Sequence, residues 1–217
     1  MLQHSIHFFR YLFNVILFLS ISENTRKAEE SFTQAQTPVK YNLPIFVTLR
    51  KQLNITKRSN EILSITSCIK QGNTLVFTDY NNNRLIICNS DGTDIHHIPL
   101  SYKPRYITEI DSNTVAVSCS IYSTILIINI STRSITSTIK TSGYCYGISY
   151  NDNNLYVVID GSIIHVMDLT GKVIRTIPLP SDAFIRDITV DRYRLVCMDY
   201  ITLIILLLAR WKTNVEI

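Results

Sequence analysis

Residues 154–180 read NLYVVIDGSIIHVMDLTGKVIRTIPLP, and this stretch decides the fold. Leu155, Val157 and Ile159 alternate with Tyr156 and Val158; Asp160-Gly161 turns the chain, Ile163 to Asp168 returns, Thr170-Gly171 turns again, and Val173 to Ile177 closes a further run. Short alternating runs of β-branched and aromatic residues separated by Gly and Asp turns are strands of an antiparallel meander.

The same unit recurs on both sides. Leu75, Val115, Leu155 and Leu195 hold equivalent places in TLVFTD, TVAVSC, LYVVID and RLVCMD, each 40 residues after the last. Ile65, Ile107, Ile148 and Ile188 form a second landmark at spacings of 42, 41 and 40, and Asn89, Asn129 and Asp168 a third at 40 and 39. A fixed period of this size marks a repeat architecture. Each unit carries four short runs, for example SITSCI, TLVFTD, RLIICN and DIHHIPL, with turns at Gln71-Gly72-Asn73 and Ser90-Asp91-Gly92 between them. A single four-stranded sheet cannot bury both faces, so such sheets stack radially. The expected fold is all-β: a β-propeller of about four four-stranded blades, either a small ring or a truncated six-bladed one, preceded by an apolar N-terminal helix. The blades fall at about 62–101, 102–142, 143–181 and 182–217. In the fourth, the run Ile201 to Leu208 is too short to cross a bilayer and reads as a central strand and its neighbour.

Composition agrees. With 46% hydrophobic and 18% charged residues the chain can bury a core, which excludes general disorder. The net charge of +4 lies entirely in residues 1–61, with eight Lys and Arg against four acids; residues 62–217 carry 13 of each sign. Nucleic-acid affinity draws on a local excess of cations, and the repeats have none in total. The five cysteines form no CxxC pair and have no His at zinc-ligand spacing; four of them, Cys68, Cys88, Cys119 and Cys197, sit in apolar runs and read as buried free thiols, which favours a reducing compartment.

Before the repeats, residues 1–22 form an apolar leader with small residues at Ser20-Ile21-Ser22. It reads as a signal peptide or an uncleaved anchor, with an ordinary apolar helix or a misplaced chain start as alternatives. Residues 23–40 are a polar linker, and 41–61 a leading segment in which Ile45, Val47 and Leu49 alternate as one strand.

On the segments LVFTDYN (75–81), RLI (84–86) followed by Asp91-Gly92, NTVAV (113–117), GYCYGI (143–148) and DLTG (168–171), the chain resembles NHL-type β-propellers, in particular the C-terminal propellers of tripartite-motif-like proteins of molluscs. The resemblance covers about residues 45–200. It implies a cytoplasmic, non-catalytic scaffold for a protein or peptide partner, or RNA binding as some such propellers show. It also implies that the leading segment supplies an outer strand to the closing blade. The RING, B-box and coiled coil of those relatives have no counterpart here, so ubiquitin-ligase activity is not carried over.

Candidate chemistry is sparse. His96, His97 and His165 fall on expected strands, Asn89 to Asp94 lacks the later Glu of a calcium loop, and Asp79 and Asp199 are placed to cap turns. No nucleophile–base motif, phosphate loop or HExxH occurs, so no catalytic residue, metal ligand or cofactor is expected. Binding on a rigid scaffold concentrates in loops. The connections between second and third strands, and those between blades, emerge on one face of a propeller. This places Tyr80, Asn82, Arg84, Lys103, Arg105, Tyr106, Tyr144, Tyr146, Phe184 and Arg186 at or near a common surface for a protein or peptide partner. RNA is the second expectation and a secreted propeller enzyme the third. In a secretory route Asn54 and Asn129, each opening an Asn-x-Ser/Thr sequon, would be glycosylation sites, and membrane association would come only through the leader.

Overall fold

The computed structural model of the chain describes residues 61–191, 194–199 and 205–210. The apolar leader and its helix, the linker, the leading strand and Asn54 lie outside the described residues.

Among the described residues fifteen strands follow in chain order. Blade 1 holds β1 (Ile65–Gln71), β2 (Thr74–Asp79), β3 (Arg84–Asn89) and β4 (His96–Pro99); blade 2 holds β5 (Tyr106–Asp111), β6 (Thr114–Cys119), β7 (Thr124–Asn129) and β8 (Ser134–Lys140). Blade 3 holds β9 (Cys145–Asn151), β10 (Asn154–Ile159), β11 (Ile163–Met167) and β12 (Val173–Pro178); blade 4 holds β13 (Ile185–Asp191), β14 (Arg194–Asp199) and β15 (Ile205–Arg210). Strands within each sheet are antiparallel and in sequence order, and β1 packs beside β5, β5 beside β9 and β9 beside β13. This is a β-propeller of about four blades, with the first strand of each blade innermost. The apolar run near the C terminus contributes β15, paired with β14.

The period-2 alternation read from the sequence becomes two apolar faces per blade. On β6, Val115 and Val117 join Val76, Leu85 and Ile87 of blade 1, while Ala116 points the other way with Leu155, Val157 and Met167 of blade 3. On β10 the next residues, Tyr156 and Val158, face Ile185, Ile188, Val190 and Leu195 of blade 4. Among the described residues three cores therefore lie between blades, each shared by two neighbours. The outermost strands β8 and β12 are mostly exposed, and their sequences SITSTIK and VIRTIP are accordingly more polar. The closing Lys140 and Pro178 make poor templates for further strand pairing.

Hydroxyl groups join the inner strands. Ser67 Oγ accepts the Ile107 N–H at 3.2 Å, Thr108 Oγ1 the Tyr150 N–H at 3.2 Å, and Ser149 Oγ the Val190 N–H at 3.0 Å. In each case a hydroxyl accepts from the inner strand of the following blade. An inner strand has no sheet partner on its axial side, so a side chain from the preceding blade supplies the bond its backbone lacks.

Two details of the sequence landmarks change. Ile107, Ile148 and Ile188 pair with Val117, Val157 and Cys197, but in blade 1 the residue paired with the corresponding Phe77 is Cys68, three positions after Ile65. Ile65 instead matches Ile185: each opens its strand opposite an Asp, with a bulge just after it. The 39-residue spacing between Asn129 and Asp168 arises at the β10–β11 turn. There three residues connect the strands, against four in blades 1 and 2, and Asp160 and Gly161 both take positive φ, of 51° and 74°.

Candidate functional site

The β2–β3 loop of blade 1 is held from within. Asp79, whose side chain is fully buried, accepts from the Ser64 N–H at 3.1 Å, Asn82 Nδ2 at 2.8 Å and Arg84 Nε at 3.0 Å, and Arg84 also reaches Glu61 at 2.7 Å. Asn82 and Arg84 are thus committed to shaping their own loop. The turn-capping role expected of Asp79 is present here. The DGTD segment is a hairpin turn, in which Asp91 Oδ1 accepts from the Thr93 N–H and hydroxyl at 2.9 and 2.6 Å.

Most of the remaining candidates form two groups of cations on ring faces, one at that loop and one where blades 3 and 4 meet. Lys103 Nζ lies 5.0 Å from the centre of the Tyr80 ring, and the Arg105 guanidinium lies 6.0 Å from Tyr80 and 5.9 Å from Tyr106. Arg186 stands over Tyr146 at 5.6 Å and Phe184 at 5.2 Å, and those two rings meet edge to face at 5.8 Å. Each such pairing contributes roughly 0.5–1 kcal/mol and, more to the point, fixes where a long cationic side chain points.

Arg105, Tyr144, Tyr146 and Arg186 converge with Ser120 and Ile121 on one open cleft of about 280 Å³. Arg105 comes from the connection between blades 1 and 2, its N–H bonded to Ser118 O at 2.8 Å. Ser120 and Ile121 come from the 3-10 turn after β6, Tyr144 and Tyr146 from the start of blade 3, and Arg186 from β13. Tyr144 is positioned through its backbone, whose N–H donates to Asp160 Oδ1 at 2.8 Å. Blades 2, 3 and 4 thus all contribute to one site.

Two titratable groups, Tyr106 and Asp187, adjoin the lining arginines. Tyr106 is only 9% exposed, so it belongs to the floor and not to the contact surface; burial, reinforced by the charge of Asp187, pushes its phenol up to about 12 despite the opposing pull of Arg105 and Arg186. Asp187 accepts the Ile188 N–H at 2.9 Å, yet burial raises its carboxyl to about 7. Among the described residues no three His, Cys, Asp or Glu side chains gather as metal ligands would.

Several residues at this face were not anticipated. Besides Ser120 and Ile121 they include Tyr102 and Tyr122, whose rings lie 5.0 Å apart, and Lys140, whose Nζ is 5.3 Å from the Tyr102 ring and donates to Thr124 Oγ1 at 2.8 Å. The period held the signal: Tyr80 to Asn83 displaced by 40 residues is Ser120 to Ser123, and Asn83 and Ser123 share a left-handed backbone with φ of 49° and 47°. Asn129 ends β7, where its Oδ1 accepts the Thr132 N–H at 2.8 Å.

No family model matches the chain, and no curated protein matches it. Solved structures do. A catalytically inactive virginiamycin B lyase from Staphylococcus aureus with quinupristin aligns with a TM-score of 0.57 at 20% identity, over 73% of this chain and 59% of that one. BamB from Moraxella catarrhalis aligns with 0.51 at 13%, over 61% and 39%, and the WD40 repeats of RRP9 with 0.56 at 14%, over 69% and 52%. At these identities the likeness is one of fold: the chain is a β-propeller. It spans about three fifths of the lyase chain and less of BamB.

Proposed function

We propose that the chain is a non-catalytic interaction module of NHL-like propeller type, which binds a protein or peptide segment over its loop face. The observation that carries this reading is the convergence of Arg105, Tyr144, Tyr146 and Arg186, drawn from three blades, on one open cleft. Arg and Tyr are the side chains most enriched at interaction hot spots, and a site assembled from several rigid sheets keeps its shape without a ligand. Affinity capture from native extract with Arg105→Ala and Tyr144→Ala tests it. Each variant should recover at least tenfold less of the partner at an unchanged Tm; undiminished capture would sink the assignment.

RNA binding is the second reading. Lys103, Arg105, Lys140 and Arg186 each lie over an aromatic ring, a local concentration of cations that the equal charge counts of the repeats conceal. It predicts affinity that falls steeply with salt. A propeller enzyme remains the third: a lyase is among the similar folds, but fold does not carry activity.

A further inference from the structure

Two guanidinium groups share the small cleft, Arg105 and Arg186, with the Ser120 hydroxyl and the Tyr144 ring beside them. From this arrangement we infer that the site is built for a carboxylate carried next to an apolar or aromatic group, supplied by a partner peptide. This deepens, and rests on, the peptide-binding reading above.

The cations come first. Both arginines line the cleft, and a carboxylate seated there can take hydrogen bonds from two planar forks. Each fork is already steered by its rings, Arg186 by Tyr146 and Phe184, Arg105 by Tyr80 and Tyr106, so little freedom is lost when the anion arrives.

The hydroxyl is a separate observation. Ser120 is 4% exposed, and its Oγ is enclosed without a hydrogen-bond partner among the described residues. Enclosed hydroxyls in folded proteins are nearly always bonded, so one left open on the lining of a cationic cleft points to a ligand acceptor. The apolar requirement comes from the rim, where Ile121 and Tyr144 are each 52% exposed.

Ring usage favours a peptide. At about 280 Å³ the open cleft has room for a side chain or a chain terminus. Single-stranded nucleic acid needs successive open ring faces. Tyr80, Tyr106 and Tyr146 already carry the protein's own cations, which leaves Tyr144 as the open ring on the cleft lining.

The test pans the full chain against a bead-displayed random heptapeptide library, one half with free C-termini and one half amidated, alongside a labelled oligouridylate. Enrichment of an acidic group beside an apolar or aromatic residue is expected, with affinity at least tenfold lower for Arg105→Gln and for Arg186→Gln, and not restored by Arg105→Lys. Loss on amidation assigns the carboxylate to the peptide terminus; loss on Glu→Gln or Asp→Asn within the peptide assigns it to a side chain. Ser120→Ala should leave Tm unchanged and still weaken binding several-fold. Should Arg186→Gln fail to fold, Arg105→Gln and Ser120→Ala decide the matter. Enriched peptides without an acidic group would overturn this inference and leave peptide binding standing. An empty selection, or oligouridylate bound more tightly through the same arginines, would overturn both.

Discussion

Gly147 on β9 meets the backbone of β13 so closely that a Cβ there would stand 2.7 Å from the Asp187 Cα and 2.7 Å from the Ile188 nitrogen. Tyr146 and Arg186, which line the cleft, are the residues just before these two, so the approach that joins blades 3 and 4 also sets the width of the site. Because the obstructing atoms are backbone, they cannot turn aside as a flexible side chain would. Gly147→Ala should cost about 1–3 kcal/mol, the range for overpacked positions, read as a lower urea midpoint. A midpoint equal to that of the unaltered chain would mean the two strands can separate freely.

Asp187 makes stability depend on pH. Burial raises its carboxyl from 3.8 to about 7, so the folded state favours the protonated form. Its stabilising contribution is complete below about pH 4 and is lost as pH rises through 7. Asp187→Asn should abolish that decline and stabilise the chain at pH 8 by on the order of 2 kcal/mol; each unit is worth about 1.36 kcal/mol, and the residue keeps part of its solvent contact. Parallel Tm profiles of the two proteins between pH 4 and 8 would contradict the assignment.

Arg84 and Arg105 should separate folding from binding. Arg84→Ala leaves the buried Asp79 carboxylate without its guanidinium, at a cost of about 1.5–3 kcal/mol for the lost charged hydrogen bonds, and should not alter partner capture. Arg105→Ala should do the reverse. Chemical denaturation and capture on the same two variants check both halves, and capture lost with Arg84→Ala at full stability would move the site to blade 1.

All five cysteines are free, and burial pushes Cys119 and Cys197 up to about 12 and Cys68 to about 11. Only the thiolate reacts, so a chromogenic disulfide at pH 8 should label the folded chain roughly a hundredfold more slowly than the urea-unfolded chain. Prompt labelling of Cys119 in the folded state would show that the core between blades 1 and 2 opens readily.

The period and the alternation were enough to place blades, because both follow from local geometry: a strand repeats every two residues, and Gly or Asp marks the turns. Cys145 was harder to read. Its surroundings GYCYG look like a loop, yet it opens β9, is fully buried and lies 3.3 Å from Thr124 O of the neighbouring blade. Of the ten loop candidates, Arg105, Tyr144, Tyr146 and Arg186 line the cleft, whereas Asn82, Arg84 and Tyr106 serve the framework. Asn82 and Arg84 are tied to Asp79 within their own hairpin, a local signal in the spacing of three and five residues. Arg105 meets an opening only once the blades are stacked, and stacking is a property of residues 40 apart in the chain.

The hydroxyls of Ser67, Thr108 and Ser149 give the molecule a direction in time as well as in space. Each acceptor belongs to the blade nearer the N terminus and each donor to the blade after it. On a ribosome the strand that carries each acceptor is therefore made before the inner strand that donates to it, and the seam between two blades can close only after the later one has emerged.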